Sequence, residues 1–229
     1  MYRAWQARSS SLPGVSISFS PQHVDPQTKA RRLTERLTGT TGLGAASVRN
    51  LVKHDPLHIY FSGRNASAAR ELIDEVKKSK PTASLTFVEM DLASLRSVQD
   101  TIAKCFTHDR LDVLMCSAGI MAVPPALSSD GYEVQFATNH LGHAMVIRQL
   151  LPVMLRTAEQ PGSDVRLVCL TSDGWRSHPR PQGIVFDKLR TTQEGFLGSW
   201  VRYGYVAPGL LLRETTNADG LLLDTAKAS

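Results

Sequence analysis

Four short apolar runs, Leu57–Phe61, Leu85–Glu89, Leu111–Cys116 and Val165–Leu170, are separated by stretches of a dozen or more residues whose apolar positions follow helical spacing. Strands joined by crossovers of this length do not form tight hairpins. They pair in parallel, and helices cover both faces of the resulting sheet. The spacing predicts helices over about 42–54, 66–79, 94–107 and 129–156. The implied fold class is α/β, a doubly wound, Rossmann-like parallel sheet in a single domain.

Both ends depart from that alternation. A buried strand belongs directly before the Gly-rich turn that starts at Gly39, but the residues there are Lys29-Ala30-Arg31-Arg32-Leu33-Thr34-Glu35-Arg36. After Tyr203, Pro208-Gly209 falls where a helix would have to propagate. The expected organisation is therefore an irregular tail over 1–36, a nucleotide-binding domain over 37–204 and a second tail over 205–229. The sheet is expected to be incomplete at both ends, as in a truncated or mis-spliced chain.

Composition narrows the function classes. With 229 residues, 42% of them hydrophobic, the chain can bury one sizeable core. Of the net charge of +5, four units come from residues 1–36, where six Arg and Lys face only Asp25 and Glu35. The rest is near neutral, so a basic stripe for nucleic acid is not expected. Cys105, Cys116 and Cys169 lie in apolar runs with no zinc spacing and no disulfide framework. They read as small buried hydrophobes in a reducing compartment, the cytoplasm. No stretch is long and apolar enough for a membrane span, and the Ser- and Arg-containing first 24 residues read as a disordered leader rather than an organellar transit peptide.

Several positions carry chemistry. Gly39-Thr40-Thr41-Gly42-Leu43-Gly44 is a Gly-rich turn opening a helix, which either cradles a pyrophosphate with its backbone N–H groups or is a plain tight turn. Arg64 follows the next strand by a few residues, where a doubly wound fold reads the adenosine ribose. With Asn65 and Ser62 it suits a 2′-phosphate, and hence NADP, unless it is simply a solvated strand-end cation. Asp91-Leu92 follows the third strand; the carboxylate either accepts from an adenine amino group, or caps the helix near Ser94, or does both. Ser117-Ala118-Gly119 ends the fourth strand with residues small enough for a flat cofactor to pass, or for tight packing alone. Asn139 is a polar residue among apolar neighbours in a helix, costly to bury without a partner. His140 and His143 have no further ligand cluster in sequence and are not read as a metal site.

In order and spacing these motifs resemble the short-chain dehydrogenase/reductase family, over Gly39 to Tyr203. The branch is that of retinol-dehydrogenase-like and protochlorophyllide-reductase-like enzymes, common in fungal secondary metabolism. The markers are Gly63-Arg64-Asn65, Asp91-Leu92, Ala118-Gly119, Asn139-His140-Leu141-Gly142-His143, and Leu170-Thr171-Ser172 with Tyr203 downstream. The resemblance implies that Tyr203 is the general acid/base, that Ser172 orients the substrate oxygen, and that Asn139 holds a proton-relay water through its helix. It implies NADP(H) bound by Gly39, Gly42, Leu43, Gly44, Arg64, Asn65, Asp91, Leu92, Ala118 and Gly119, with a small, apolar carbonyl or alcohol as substrate. A homodimer fits the family, although its usual interface helix is incomplete here. The chain departs from the pattern at Ala207, where the family has the lysine that lowers the tyrosine pKa. That departure implies an alternative: an inactive, truncated relative that binds a nucleotide or a partner without turnover.

Overall fold

The computed structural model describes residues 34–38, 40–172, 184, 186–194 and 221–228. Six strands form one sheet in the order β3-β2-β1-β4-β5-β6, every neighbouring pair parallel. In chain order the elements are β1 (Thr34–Thr38), α1 (Gly42–Leu51), β2 (His58–Gly63), α2 (Ala66–Ser79), β3 (Leu85–Glu89), α3 (Leu95–Cys105) and β4 (Val113–Cys116). There follow α4 (Val134–Phe136), a π-helical turn (Ala137–Leu141), α5 (Gly142–Ala158), β5 (Val165–Ser172) and β6 (Leu221–Ala228). Short 3-10 turns sit at Val52–His54 and Phe186–Lys188. This is the doubly wound order, with its reversal point between β1 and β4.

Burial explains why these segments adopt these shapes. In β2, Ile59, Tyr60, Phe61 and Ser62 are all buried, so both faces of the strand are covered and the sequence there shows no alternation. In α2, Ala69, Leu72 and Val76 recur on one face, and the Asn65 side chain caps the helix by accepting from Ala68 N at 3.0 Å. In α3, Val98 and Ile102 turn inward, and Ser94 caps by accepting from Ser97 N at 3.2 Å. One apolar cluster joins α1 and α2 to β2 through Val48, Ile59, Phe61 and Leu72. A second joins α3 and α5 to β4 and β5 through Ile102, Leu114, Leu150, Met154 and Leu167.

The ends of the chain differ from what their sequence leads one to expect. Thr34-Glu35-Arg36-Leu37-Thr38 forms β1 at the centre of the sheet, pairing Glu35 with Ile59 of β2 and with Val113 of β4. A strand therefore does precede the Gly-rich turn, and its first three residues, Thr34 to Arg36, belong to the segment read as an N-terminal tail. Likewise Leu221–Ala228, read as part of a C-terminal tail without a place in the sheet, pairs along its length with β5. The ladder uses main-chain groups that every residue type carries, so a polar side-chain sequence does not bar a strand.

The long helix also begins later than predicted. Residues 129–133 form a turn closed by a bridge between Leu127 and Glu133, with Gly131 at φ +73°. The carboxylate of Glu133 accepts from Phe136 N at 2.8 Å and so starts the helix there. Cys116 and Cys169 are buried as expected, but Cys105 is exposed, because it ends α3 on the side away from the core. Among the described residues no helix is long and apolar enough to cross a membrane.

Candidate functional site

At the carboxyl ends of the strands, an open cleft of about 160 Å³ lies across the reversal point between β1 and β4. Its floor and walls come from four strand ends. Thr40 and Thr41 lie between β1 and α1, and Ser62, Gly63 and Arg64 end β2. Met90, Asp91 and Leu92 follow β3, and Ala118, Gly119 and Ile120 follow β4; Thr138 of the π turn closes one side. Parallel strands converge at this edge, and the crossover loops diverge from it, which leaves the hollow.

Two glycines keep the walls thin. A Cβ on Gly63 would come within 2.8 Å of the Thr40 side chain, and one on Gly119 within 3.4 Å of Asn139 Oδ1. Gly42 takes φ +54° at the start of α1, a conformation that costs any other L-residue about 1–2 kcal/mol. The N-terminus of α1 thus meets the cleft edge at Thr40 and Thr41, offering unpaired N–H groups and a partial positive charge.

The expected nucleotide residues divide into four groups. Arg64, Asp91, Leu92, Ala118 and Gly119 all line the cleft. Arg64 is exposed and makes no hydrogen bond or ion pair with any described residue, so its guanidinium is available to an anion. Gly42, Leu43 and Gly44 form the first turn of α1 beside the lining residues Thr40 and Thr41, with Leu43 turned to solvent. Asn65 spends its side-chain oxygen on the α2 cap. Asp91 is not the α3 cap that its position also allowed, since Ser94 is; one Asp91 oxygen instead accepts from Ala93 N at 2.9 Å and shapes the turn. Gly39 and Tyr203, with Ala207, Trp175 and Trp200, lie outside the described residues. Ser172 ends β5, paired with Ala228 of β6.

Asn139 has the partner its burial demands. Its Oδ1 accepts from Ile120 N at 2.8 Å and its Nδ2 donates to Ile120 O at 2.8 Å, locking the segment after β4 to the helix. Each of its side-chain polar atoms is thereby engaged with Ile120. The π turn around it is of the kind that concentrates at functional sites. His143 Nδ1 lies 3.1 Å from Asn139 O, which accepts from the ring N–H, while His140 packs on Phe136 with centroids 5.0 Å apart. Among the described residues no group of three or more side chains could hold a metal ion.

Burial pushes the His143 imidazole from its ordinary 6.5 down to about 4, opposed only by its bond to Asn139 O. The ring is neutral in the fold near pH 7. As pH falls, the unfolded chain takes up this proton first, near 6.5, and the folded chain only near 4. His143 therefore costs no stability above 6.5, and removes about 1.4 kcal/mol per pH unit between 6.5 and 4. Urea midpoints measured across that window are expected to fall more steeply for the parent than for His143→Asn, whose amide keeps a donor near Asn139 O. Parallel curves would count against a buried neutral imidazole.

Missed from sequence were Met90 and Thr138 in the cleft wall, and Gln135, which bonds the segment after it. Only Gln135 carried a signal, as a polar residue between the apolar Val134 and Phe136.

Comparison with known proteins bears on the same region. A family model described as short chain dehydrogenase matches residues 37–172. The short-chain dehydrogenase/reductase drtF of Aspergillus calidoustus is 37% identical over 179 residues, covering 76% of this chain and 55% of that protein. The chain spans about half the length of the curated relatives it matches. Among solved structures, an uncharacterised protein of Mycobacterium paratuberculosis matches with a TM-score of 0.58 and 27% identity, over 77% of this chain and 57% of that one. An alcohol dehydrogenase of Thermococcus sibiricus, solved with 5-hydroxy-NADP, matches with a TM-score of 0.55 over 76% of this chain and 66% of that one; at 18% identity it speaks to the fold alone.

Proposed function

Because the chain belongs to the short-chain dehydrogenase/reductase family, we propose that it binds NADP(H) in the strand-end cleft and interconverts a carbonyl and an alcohol. The substrate class is a small apolar metabolite, of the kind handled in secondary-metabolite pathways, and the place of action is the cytoplasm. The observation that carries the cofactor choice is Arg64, exposed at the cleft edge with no acidic partner among the described residues. An acid at that strand end would favour a ribose 2′-OH, whereas a free guanidinium favours a 2′-phosphate. The thin walls at Gly63 and Gly119 leave room for a flat, phosphate-bearing ligand to lie against the backbone.

Bound NADP(H) would supply the hydride in reduction and accept it in oxidation. Tyr203 would give its phenolic proton to the carbonyl oxygen or take one from the alcohol, and Ser172 would hold that oxygen by a hydrogen bond. Asn139 would keep Ile120 and the wall after β4 in place.

Ala207 favours a second reading. With alanine four residues after Tyr203, the lysine that the family resemblance assigns to activating the phenol is missing, and the chain would bind the nucleotide without turnover.

Fluorescence titration of the purified chain is expected to give tighter binding for NADPH than for NADH. Arg64→Ala is expected to weaken NADPH about 10- to 100-fold, the weight of a charge-assisted bond, and to leave NADH unchanged. Equal affinities in the parent, or an indifferent Arg64→Ala, overturn the NADP assignment. NADPH consumption with a panel of apolar aldehydes and ketones then separates the readings: turnover supports the enzyme, and tight binding without turnover selects the binder.

A further inference from the structure

Ala122 stands at φ +53°, in the left-handed region that a non-glycine residue enters only when its surroundings hold it there. The group that holds it is Gln135, a fully buried side chain on α4, whose Oε1 accepts from Ala122 N at 2.8 Å. Gln135 is itself backed by Glu133, also buried, whose Oε1 lies 3.5 Å from Gln135 Nε2. Glu133 is anchored twice more, by Phe136 N on its carboxylate and by its own N–H on Leu189 O at 2.8 Å.

The segment after β4 is thus fastened at two points. Asn139 takes both main-chain groups of Ile120, and Gln135 takes the N–H of Ala122. Met121, between the two, is left exposed beside the cleft. The main-chain N–H of Glu133 also joins this element to the segment around Leu189, whose side chain packs on Phe136.

With the adenosine end assigned to Arg64, the cleft reaches the end of β4 on its other side, and we propose that Gln135 is a positioning residue that keeps Ala122 left-handed and so fixes the Ile120–Ala122 wall against the half of the cofactor away from Arg64, the nicotinamide half. The adenosine half, at Arg64, lies at a different strand end and is independent of it. The inference rests on the cofactor reading given above. It adds a residue that no substrate atom need touch, acting through the shape of the wall.

The test uses the full chain, with Gln135→Met, which removes the acceptor at nearly constant volume, and the double variant Gln135→Met/Ala122→Gly, in which glycine takes the left-handed conformation without strain. Three titrations are read: NADPH affinity, the enhancement of nicotinamide fluorescence on binding, and the affinity for 2′,5′-ADP, which occupies the adenosine half alone. Gln135→Met is expected to weaken NADPH about tenfold and to lose the enhancement, the equilibrium weight of one lost buried hydrogen bond together with the strain it restrained. Binding of 2′,5′-ADP is expected to stay within about twofold, and the Ala122→Gly change to recover most of the NADPH loss. An unaltered NADPH signal in Gln135→Met, an equal loss of 2′,5′-ADP, or no recovery on Ala122→Gly overturns the proposal.

Should the parent bind neither ligand, the cofactor reading fails on its own account. Amide exchange of the ligand-free chain then decides the role of Gln135: about tenfold faster exchange at Met121 and Ala122 in Gln135→Met supports it, and unchanged exchange overturns it.

Discussion

Replacing Gly142 with alanine is expected to destabilise the fold by about 3 kcal/mol, although alanine is the better helix former by about 1 kcal/mol. Gly142 opens α5 where the helix crosses the segment after β3, and an added Cβ would lie 2.4 Å from Leu92 O and 3.0 Å from Leu92 C. These are backbone atoms, which no rotamer change can move aside. Either α5 shifts, opening the cluster of Val146, Leu150 and Met154 against β4 and β5, or Asp91-Leu92 is pushed into the cleft it lines. For a chain of this size the expected fall in melting temperature is about 6–12 °C, accompanied by weaker nucleotide binding. Helix propensity alone predicts the opposite sign, so an unchanged or raised midpoint in urea would sink the close-packing account.

The second large effect is expected at Asn139. Leucine there keeps the volume and removes both bonds to Ile120, leaving a donor and an acceptor of the same residue without their partners. At about 1–3 kcal/mol for each stranded group, partly offset by water at this half-buried site, the expected loss is about 2–4 kcal/mol. Aspartate is the informative control. Its carboxylate still accepts from Ile120 N but faces Ile120 O with another acceptor, so it is expected to lose part of the stability and to become worse, not better, as pH rises and it ionises. Urea unfolding of the two variants at pH 4, near the ordinary aspartate pKa of about 3.9, and at pH 8 reads both effects. An Asn139→Leu variant within about 0.5 kcal/mol of the parent would mean that the clasp on Ile120 is not what the half-buried amide is for.

Both positions belong to one local design. The helix of Asn139 and Gly142 approaches the sheet closely enough to touch the ends of β3 and β4 at once, through Leu92 and Ile120. Gly142 permits the approach and Asn139 satisfies the main chain that the approach buries. His143, one residue on from Gly142, adds a bond from its ring to the Asn139 carbonyl within the same turn. In the sequence, the string Asn139-His140-Leu141-Gly142-His143 looked like a marker to be recognised. In space it is a packing device that positions one wall of the cleft.

Arg64, Asp91-Leu92 and Ala118-Gly119 were legible because each ends a strong apolar run, and chain order alone delivers such residues to one edge of a parallel sheet. Gln135 showed only as a polar residue between apolar neighbours, and its role was not legible. Its importance depends on an Ala122 backbone angle thirteen residues upstream, a quantity that neither periodicity nor residue type records. The capping roles of Asn65 and Ser94 fall between these cases: residue type allowed them, and only the distances to Ala68 N and Ser97 N assigned them.

The sequence by itself determined the α/β alternation, the parallel sense of the sheet and the strand ends that meet at the cleft, because burial of short apolar runs and the length of crossovers are local properties. Tertiary structure decided what local pattern could not. It made a central strand of Thr34-Glu35-Arg36-Leu37-Thr38 and a sixth strand of Leu221–Ala228, since a ladder is closed by main-chain groups of distant neighbours whatever side chains they carry. It also chose, among the polar residues inside the chain, which one clasps Ile120 and which one holds Ala122, for a buried amide acquires its role only from the groups that folding brings within 3 Å of it.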